Sequence, residues 1–342
     1  MTSDSSHAEH ATPLPEALVD NLISYGGDAG RAWMADFPAL LQRVAQAWQL
    51  LLEAPYEKLS FNYVTRVQLA DSTPAILKLG VPSDEKPTEL AWLRHYSDVR
   101  SDVRPHVRSG DVALSDGQIA RVGVAQVLRA DPNISALLLT RLTPGDTLHA
   151  LPDEDATRVL ATSMARLRRP PPPDAAFPHV REWLTALPKY RERHGGNGPL
   201  DIRRVTRAQS LAEELLRSST ADVLLHGDLH HANVLRHIDL SGATQWTVID
   251  AKGVLGPASY EVGPMLLNGA VEGRDLATVL PMMRRRLELL AALLATDQQE
   301  LTAWGFIQTM LSACWIVEAG STRGLDAHQV LVAAMEACLG SV

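Results

Sequence analysis

The stretch from Val223 to Asp250 constrains this chain more than any other. It reads Val223-Leu224-Leu225, then His226-Gly227-Asp228-Leu229-His230-His231-Ala232-Asn233, then Val234-Leu235, a short polar turn, and Trp246-Thr247-Val248-Ile249-Asp250. Short apolar runs bounded by polar and glycine residues predict buried strands rather than helices, which need longer periodic stretches. The pattern is therefore two apolar strands bracketing a polar loop. Asp228 and Asn233 stand five positions apart in the loop, and Asp250 ends the next strand.

Those three residue types fit one chemistry. Phosphoryl transfer asks a protein mainly to position the reactants and neutralise charge, with a carboxylate for the acceptor hydroxyl and oxygen ligands for magnesium. Asp228 is the candidate catalytic residue, and Asn233 and Asp250 are the candidate metal ligands. An isolated Asp-x-x-x-x-Asn carries little weight. The complete His-Gly-Asp-x-x-x-x-Asn unit, bracketed by strands and followed by a strand ending in Asp, reproduces a kinase catalytic loop with Gly227 in place of the usual arginine. Clustered histidines alone would suggest zinc, whereas hard oxygen donors suit magnesium. His226 reads as a structural ring bonding the loop backbone, and His230 and His231 as residues that shape the loop.

The same chemistry demands an upstream lysine for the phosphates and a helical glutamate to hold it. Lys78 ends the strand-like run Ala75-Ile76-Leu77-Lys78, and Glu89 opens a following amphipathic stretch; Asp84 and Glu85 are alternatives to Glu89. No glycine-rich loop precedes the lysine. Ser60 and Asn62 stand where such a loop would, as phosphate donors or as ordinary turn residues.

Residues 1–20 read as a flexible tail, 21–142 as a β-rich, nucleotide-binding lobe and 143–342 as a mainly helical lobe, with the boundary in the turn-rich run Arg141-Leu142-Thr143-Pro144-Gly145-Asp146. Within the first lobe, Phe37–Glu53 shows helical spacing, and Ser60–Ala70 with Pro74–Leu79 reads as a hairpin turning at Asp71-Ser72-Thr73. A helix over Glu89–Tyr96 follows Pro87 and Thr88, then strands over Val112–Leu114, Ile119–Val127 and Ala136–Leu142, with a turn at Asp116-Gly117. Pro170 to Pro173 stop a helix over Thr157–Arg168 and read as a rigid connection. Two lobes also suit 342 residues, too many for one comfortable core.

A net charge of -8 lacks the basic excess that nucleic-acid binding requires. It favours cationic small molecules, and serves solubility equally well. Two cysteines exclude a disulfide framework, and no apolar run is long enough to span a bilayer. The expected setting is the cytoplasm, with neither nucleic acid nor membrane as partner and the oligomeric state open.

With Ile249-Asp250-Ala251-Lys252-Gly253 added to the loop, the chain resembles the aminoglycoside phosphotransferase superfamily, and more narrowly the streptomycin 6-kinase and hydroxyurea phosphotransferase family. Pro74 to Lys78, Glu182-Trp183-Leu184, Leu255-Gly256, Ala303-Trp304 and Ser312-Ala313-Cys314-Trp315 extend the likeness along nearly the whole length. The resemblance implies an α+β, bilobal protein-kinase-like fold, an adenine hinge at Thr140 to Leu142, and magnesium-ATP as phosphate donor. It implies O-phosphorylation of an aminocyclitol such as streptomycin. Alternatives are a kinase of hydroxyurea or of another small amine or amino sugar, and a nucleotide-binding pseudokinase. Glu261, Glu272, Asp275 and Glu318 are candidate acids for a cationic acceptor. Glu261 lies in Ser259-Tyr260-Glu261-Val262-Gly263, where the family tends to have an aspartate, and has two readings, a brace for the catalytic loop or a cup for the substrate. Lys252 either touches phosphate or faces solvent.

Overall fold

The computed structural model describes residues 14–340 apart from 25, 84, 98–110, 116, 118, 174–175, 240, 269–272 and 322–323. Chain order gives α1 (Glu16–Ser24), α2 (Gly27–Trp48), β1 (Leu51–Pro55), β2 (Asn62–Gln68), β3 (Pro74–Gly80), α3 (Glu85–His95), β4 (Asp111–Ala113), β5 (Ile119–Val124), β6 (Val127–Asp131), β7 (Ala136–Thr140) and β8 (Pro144–Thr147). It continues with α4 (Asp153–Arg166), α5 (Val180–Leu184), α6 (Ala186–His194), α7 (Ile202–Ser218), β9 (Val223–Leu225), β10 (Val234–Ile238), β11 (Thr244–Val248), β12 (Val254–Gly256), α8 (Val262–Leu267), α9 (Leu276–Leu294), α10 (Gln298–Glu318) and α11 (Leu325–Leu339). Two compact units result, Met1–Lys86 with Val127–Arg141, and Pro87–Gln126 with Leu142–Val342.

The first unit is an antiparallel sheet in the order β1-β2-β3-β7-β6. Side chains alternate faces along a strand. Tyr63 and Val67 of β2 and Ala75, Leu77 and Leu79 of β3 are buried with Trp33, Phe37, Leu40, Leu41 and Val44 of α2. The same alternation puts Lys78 on the opposite face, between Val64 and Leu137 in register. The hairpin turns as expected, with the Thr73 N–H donating to Asp71 Oδ1 at 2.9 Å.

Two expectations fail in this unit. α1 begins at Glu16, inside the stretch read as tail, because Leu18 and Leu22 are buried there. The helix expected over Phe37–Glu53 is α2, which stops at Trp48. Gln49 takes a left-handed φ of 55° and returns its N–H to the helix, so the apolar pair Leu51 and Leu52, helical by spacing, falls on β1 and is exposed.

The second unit holds a sheet in the order β4-β5-β11-β10-β8, with β5 and β11 parallel. Val112–Leu114 and Ile119–Val127, expected among the strands of the β-rich half, divide differently. β4 and β5 join this second sheet, while the stretch breaks at Ala125-Gln126 and β6 joins the first. Ala125 N donates to Val248 O at 3.0 Å, which ties the end of β5 to β11. Periodicity gives a strand its faces, but the partner is a tertiary choice. Asp116, of the expected turn, lies outside the described residues.

A two-stranded sheet of β9 and β12 and the helices make up the rest. Every residue of α10 from Leu301 to Leu311 is buried, as befits a helix at the centre of a core. Arg286 of α9 is 2% exposed. It donates to Asp153 at the start of α4 through Nε at 3.0 Å, and to the Met265 carbonyl of α8 at 3.2 Å, so one buried guanidinium joins three helices and leaves its charge paired.

Candidate active site

Two ladders set the geometry. β9 pairs with β12, and β10 with β11, which lays the segment 226–233 beside the segment 249–253. Ile249 N donates to Asn233 O at 2.9 Å, Lys252 N to His226 O at 2.8 Å, and the His226 ring Nε2 meets Ile249 O at 2.8 Å. The two loops are one hydrogen-bonded body.

Asp228 projects from it with its side chain 37% exposed. Asn233, in a 3-10 turn and 8% exposed, donates from Nδ2 to Asp228 O at 2.8 Å and lies 3.5 Å from Asp228 Oδ2. That orientation turns the amide oxygen away from Asp228. Asp250 has a φ of 62°, a left-handed conformation that Asp tolerates better than most residues. Gly227, at φ 83°, replaces an arginine for a steric reason. A Cβ there would lie 2.8 Å from Val254 Cγ1 and 2.9 Å from Trp183 Cη2.

Glu261 sits beneath the loop at 4% exposure. Its Oε2 accepts from His226 N at 2.6 Å and its Oε1 from Gly227 N at 2.9 Å. Of its two readings, the brace is the one these bonds describe. Burial pushes its carboxyl up to about 7, against the pull of the backbone N–H groups.

The histidines are neutral for the same reason. Burial lowers His226 to about 3 and His230 to about 4, and burial together with the Arg286 charge lowers His231 to about 3. His226 Nδ1 accepts from Asp228 N at 3.2 Å, so its second nitrogen carries the proton to Ile249 O. It bonds the loop backbone at both ends, as expected. His230 Nδ1 accepts from Ala232 N at 3.2 Å and its Nε2 faces Asp228 Oδ1 at 3.6 Å. His231 stacks on His149 with ring centroids 5.2 Å apart.

α3 is anchored to this body by residues that no motif had singled out. Thr88 Oγ1 donates to Lys252 O at 2.6 Å, and the Thr88 carbonyl would stand 2.9 Å from a Cβ on Gly253. One turn on, the Trp92 ring meets His226 edge-on at 5.2 Å, and Tyr96 Oη bonds the carbonyls of Leu167 and Leu224. Only Trp92 and Tyr96 carry a sequence signal, as apolar residues at helical spacing. Glu89 is buried between these anchors on the same helix at 3% exposure. Asp84 and the side chain of Glu85 lie outside the described residues.

In the first unit, Lys78 is buried at 5% exposure. Ser60 is exposed, with its carbonyl accepting from Asn21 Nδ2, and Asn62 opens β2 opposite Gly80. Thr140 ends β7, and Leu142 is the first residue of the second unit after the crossing.

The acids named for a substrate are scattered. Glu272 lies outside the described residues. Asp275 is exposed and caps α9, accepting from Thr278 N at 2.9 Å, a local bond that lowers its pKa. Glu318 is exposed in the last turn of α10.

Among the described residues no helix is long and apolar enough to cross a membrane. The profile of the family described as aminoglycoside/hydroxyurea antibiotic resistance kinase matches residues 54–320. A streptomycin 6-kinase of Streptomyces glaucescens is 29% identical over 331 residues, covering 94% of this chain and 95% of that one. A streptomycin 3''-kinase of Klebsiella pneumoniae is 31% identical over 286 residues, covering 80% and 91%. Among solved structures, a choline/ethanolamine kinase family protein from Mesorhizobium loti superposes with a TM-score of 0.55 at 15% identity, covering 92% of this chain and 95% of that one. At that identity the likeness concerns the bilobal kinase-like fold.

Proposed function

The chain belongs to the aminoglycoside/hydroxyurea antibiotic resistance kinase family, which makes it an ATP-dependent phosphotransferase with an alcohol acceptor, and we propose that this acceptor is a hydroxyl of a streptomycin-like aminocyclitol. The observation that carries the reading is the Asp228–Asn233 pairing within a loop held from below by Glu261. In this reading the Asp228 carboxylate takes the proton as the acceptor oxygen bonds to the γ-phosphorus, and the bond to the bridging oxygen breaks to leave ADP.

Asn233 and Asp250 hold magnesium, whose chemistry is to neutralise charge on the phosphates. Their amide and carboxylate oxygens are the hard donors that this ion selects, and it commonly keeps only one or two protein carboxylates beside water and phosphate. Lys78, Glu89, Ser60 and Asn62 serve the phosphates, and Thr140 and Leu142 the adenine. The enzyme works in the cytoplasm, where ATP is supplied.

Magnesium-dependent ADP release, screened against streptomycin, other aminoglycosides, hydroxyurea and amino sugars, tests this. Stimulation by streptomycin is the expected result. Stimulation by hydroxyurea or another amine alone would replace the acceptor and keep the residues' roles.

A further inference from the structure

A row of aromatic rings leads from the core of the second unit to its surface. Trp304 meets Tyr260 at 5.1 Å, Tyr260 meets Trp183 at 6.4 Å, and Trp183 meets Trp315 at 6.3 Å with their planes at 78°. Packing accounts for Trp304 and Tyr260, which are buried at 0% and 1% exposure. It does not account for Trp315, 40% exposed in the last turn of α10, where the helix leaves the core that its residues 301–311 occupy. The position of Trp183 gives the row a purpose. Its Cη2 lies 2.9 Å from where a Cβ on Gly227 would stand, so the indole borders the residue next to Asp228.

From this arrangement we propose that Trp183 and Trp315 form an acceptor subsite that stacks a planar guanidinium-type cation beside Asp228, with Glu318 supplying the countercharge. Glu318 is exposed on the helix face it shares with Trp315, three residues on. A guanidinium is planar and weakly hydrated, and it stacks on indole where a compact ammonium holds its water. Of the other acids named for a substrate, Glu261 is committed to the backbone and Asp275 to a helix cap. The subsite rests on the aminocyclitol reading and specifies which chemical group of the acceptor is gripped.

Steady-state kinetics on Trp315→Leu, Trp315→Phe and Glu318→Gln test it, with streptomycin as the guanidinium-bearing probe and kanamycin, which carries amines only, as the contrast. Trp315→Leu is expected to raise the streptomycin KM about tenfold while the ATP KM moves less than about twofold, and Trp315→Phe to restore most of the loss. Glu318→Gln is expected to raise it about threefold, an effect that fades in high salt. Kanamycin binding stays indifferent to Trp315. A streptomycin KM untouched by Trp315→Leu, or an ATP KM that rises equally, would overturn the subsite. Should wild-type protein turn over no streptomycin, the acceptor reading fails by itself, and calorimetric binding of streptomycin still decides the subsite. Weaker binding to Trp315→Leu supports it, and equal or absent binding refutes it.

Discussion

The loop between β1 and β2 and the loop between β9 and β10 are built on opposite plans. In the first, 56–61, Tyr56 and Phe61 are 36% and 47% exposed, with Leu59 the one apolar side chain buried in the core. Tyr56 N bonds Val64 O at 3.0 Å, and the Tyr56 ring lies under Arg66. In the second, 226–233, His226, Leu229, His231 and Asn233 are buried, and the backbone bonds Glu261, the segment after β11 and its own side chains. Groups that handle a proton and a metal need a fixed position, because a misplacement of about 1 Å costs on the order of a hundredfold in rate. On the proposed roles, the loop with more buried side chains and more backbone bonds is the one that carries the candidate base Asp228.

That contrast can be broken by substitution, most severely at the residues packed against the second loop. Asp250→Asn keeps a residue tolerant of the left-handed backbone and removes the charge, so it should cut kcat on the order of a thousandfold and weaken magnesium-dependent nucleotide binding, as read by calorimetry. Glu261→Ala leaves two buried N–H groups without an acceptor. It should cost about 3 kcal/mol in urea unfolding, at about 1–3 kcal/mol for each unpaired group, and should lower kcat more than any KM.

Acid should loosen the same loop first, because three lowered histidines outweigh the one raised carboxyl of Glu261, which acts in the opposite direction. His226, His230 and His231 have pKa values well below their unfolded value near 6.5. Their contribution to stability is therefore present above about pH 6.5 and is lost as pH falls toward their folded values. Hydrogen exchange, corrected for intrinsic rates, should show amides 226–233 losing protection between pH 7.5 and 5 while those of β2 and β3 hold; parallel loss in both would erase the contrast. Thr88→Val removes the 2.6 Å bond to Lys252 O, worth about 1 kcal/mol. It should raise the ATP KM a few fold, with rescue by Thr88→Ser. Ser60→Ala in the first loop should change the ATP KM by about twofold or less.

The second loop was also the part most open to reading from the sequence. Its polar residues stand at fixed spacing between apolar strands, so the sequence alone makes candidates of Asp228 and Asn233, and of Asp250 at the end of the next strand, and the structure places the segments that carry them side by side. The hairpin of β2 and β3 was legible for a similar reason, since Asp71 writes the turn locally. What stayed hidden depends on distant partners. β4 and β5 have strand periodicity, but nothing in it states that β5 runs parallel to β11. Leu51 and Leu52 keep helical spacing after the helix has ended at Gln49. Thr88 is an ordinary helix-start residue until Lys252, 164 positions away, accepts its hydroxyl. Trp315 reads as one more core aromatic until its exposure is seen.

The measurement that bears most directly on the central claim is single-turnover transfer of labelled γ-phosphate from ATP to streptomycin by wild-type protein and Asp228→Asn, with nucleotide affinity measured on both. The expected result is a rate lowered by about a hundredfold to ten-thousandfold in the variant, with nucleotide affinity within about twofold of wild type. A variant that transfers phosphate at close to the wild-type rate would contradict the assignment of Asp228, and with it the reason this loop is held so rigidly.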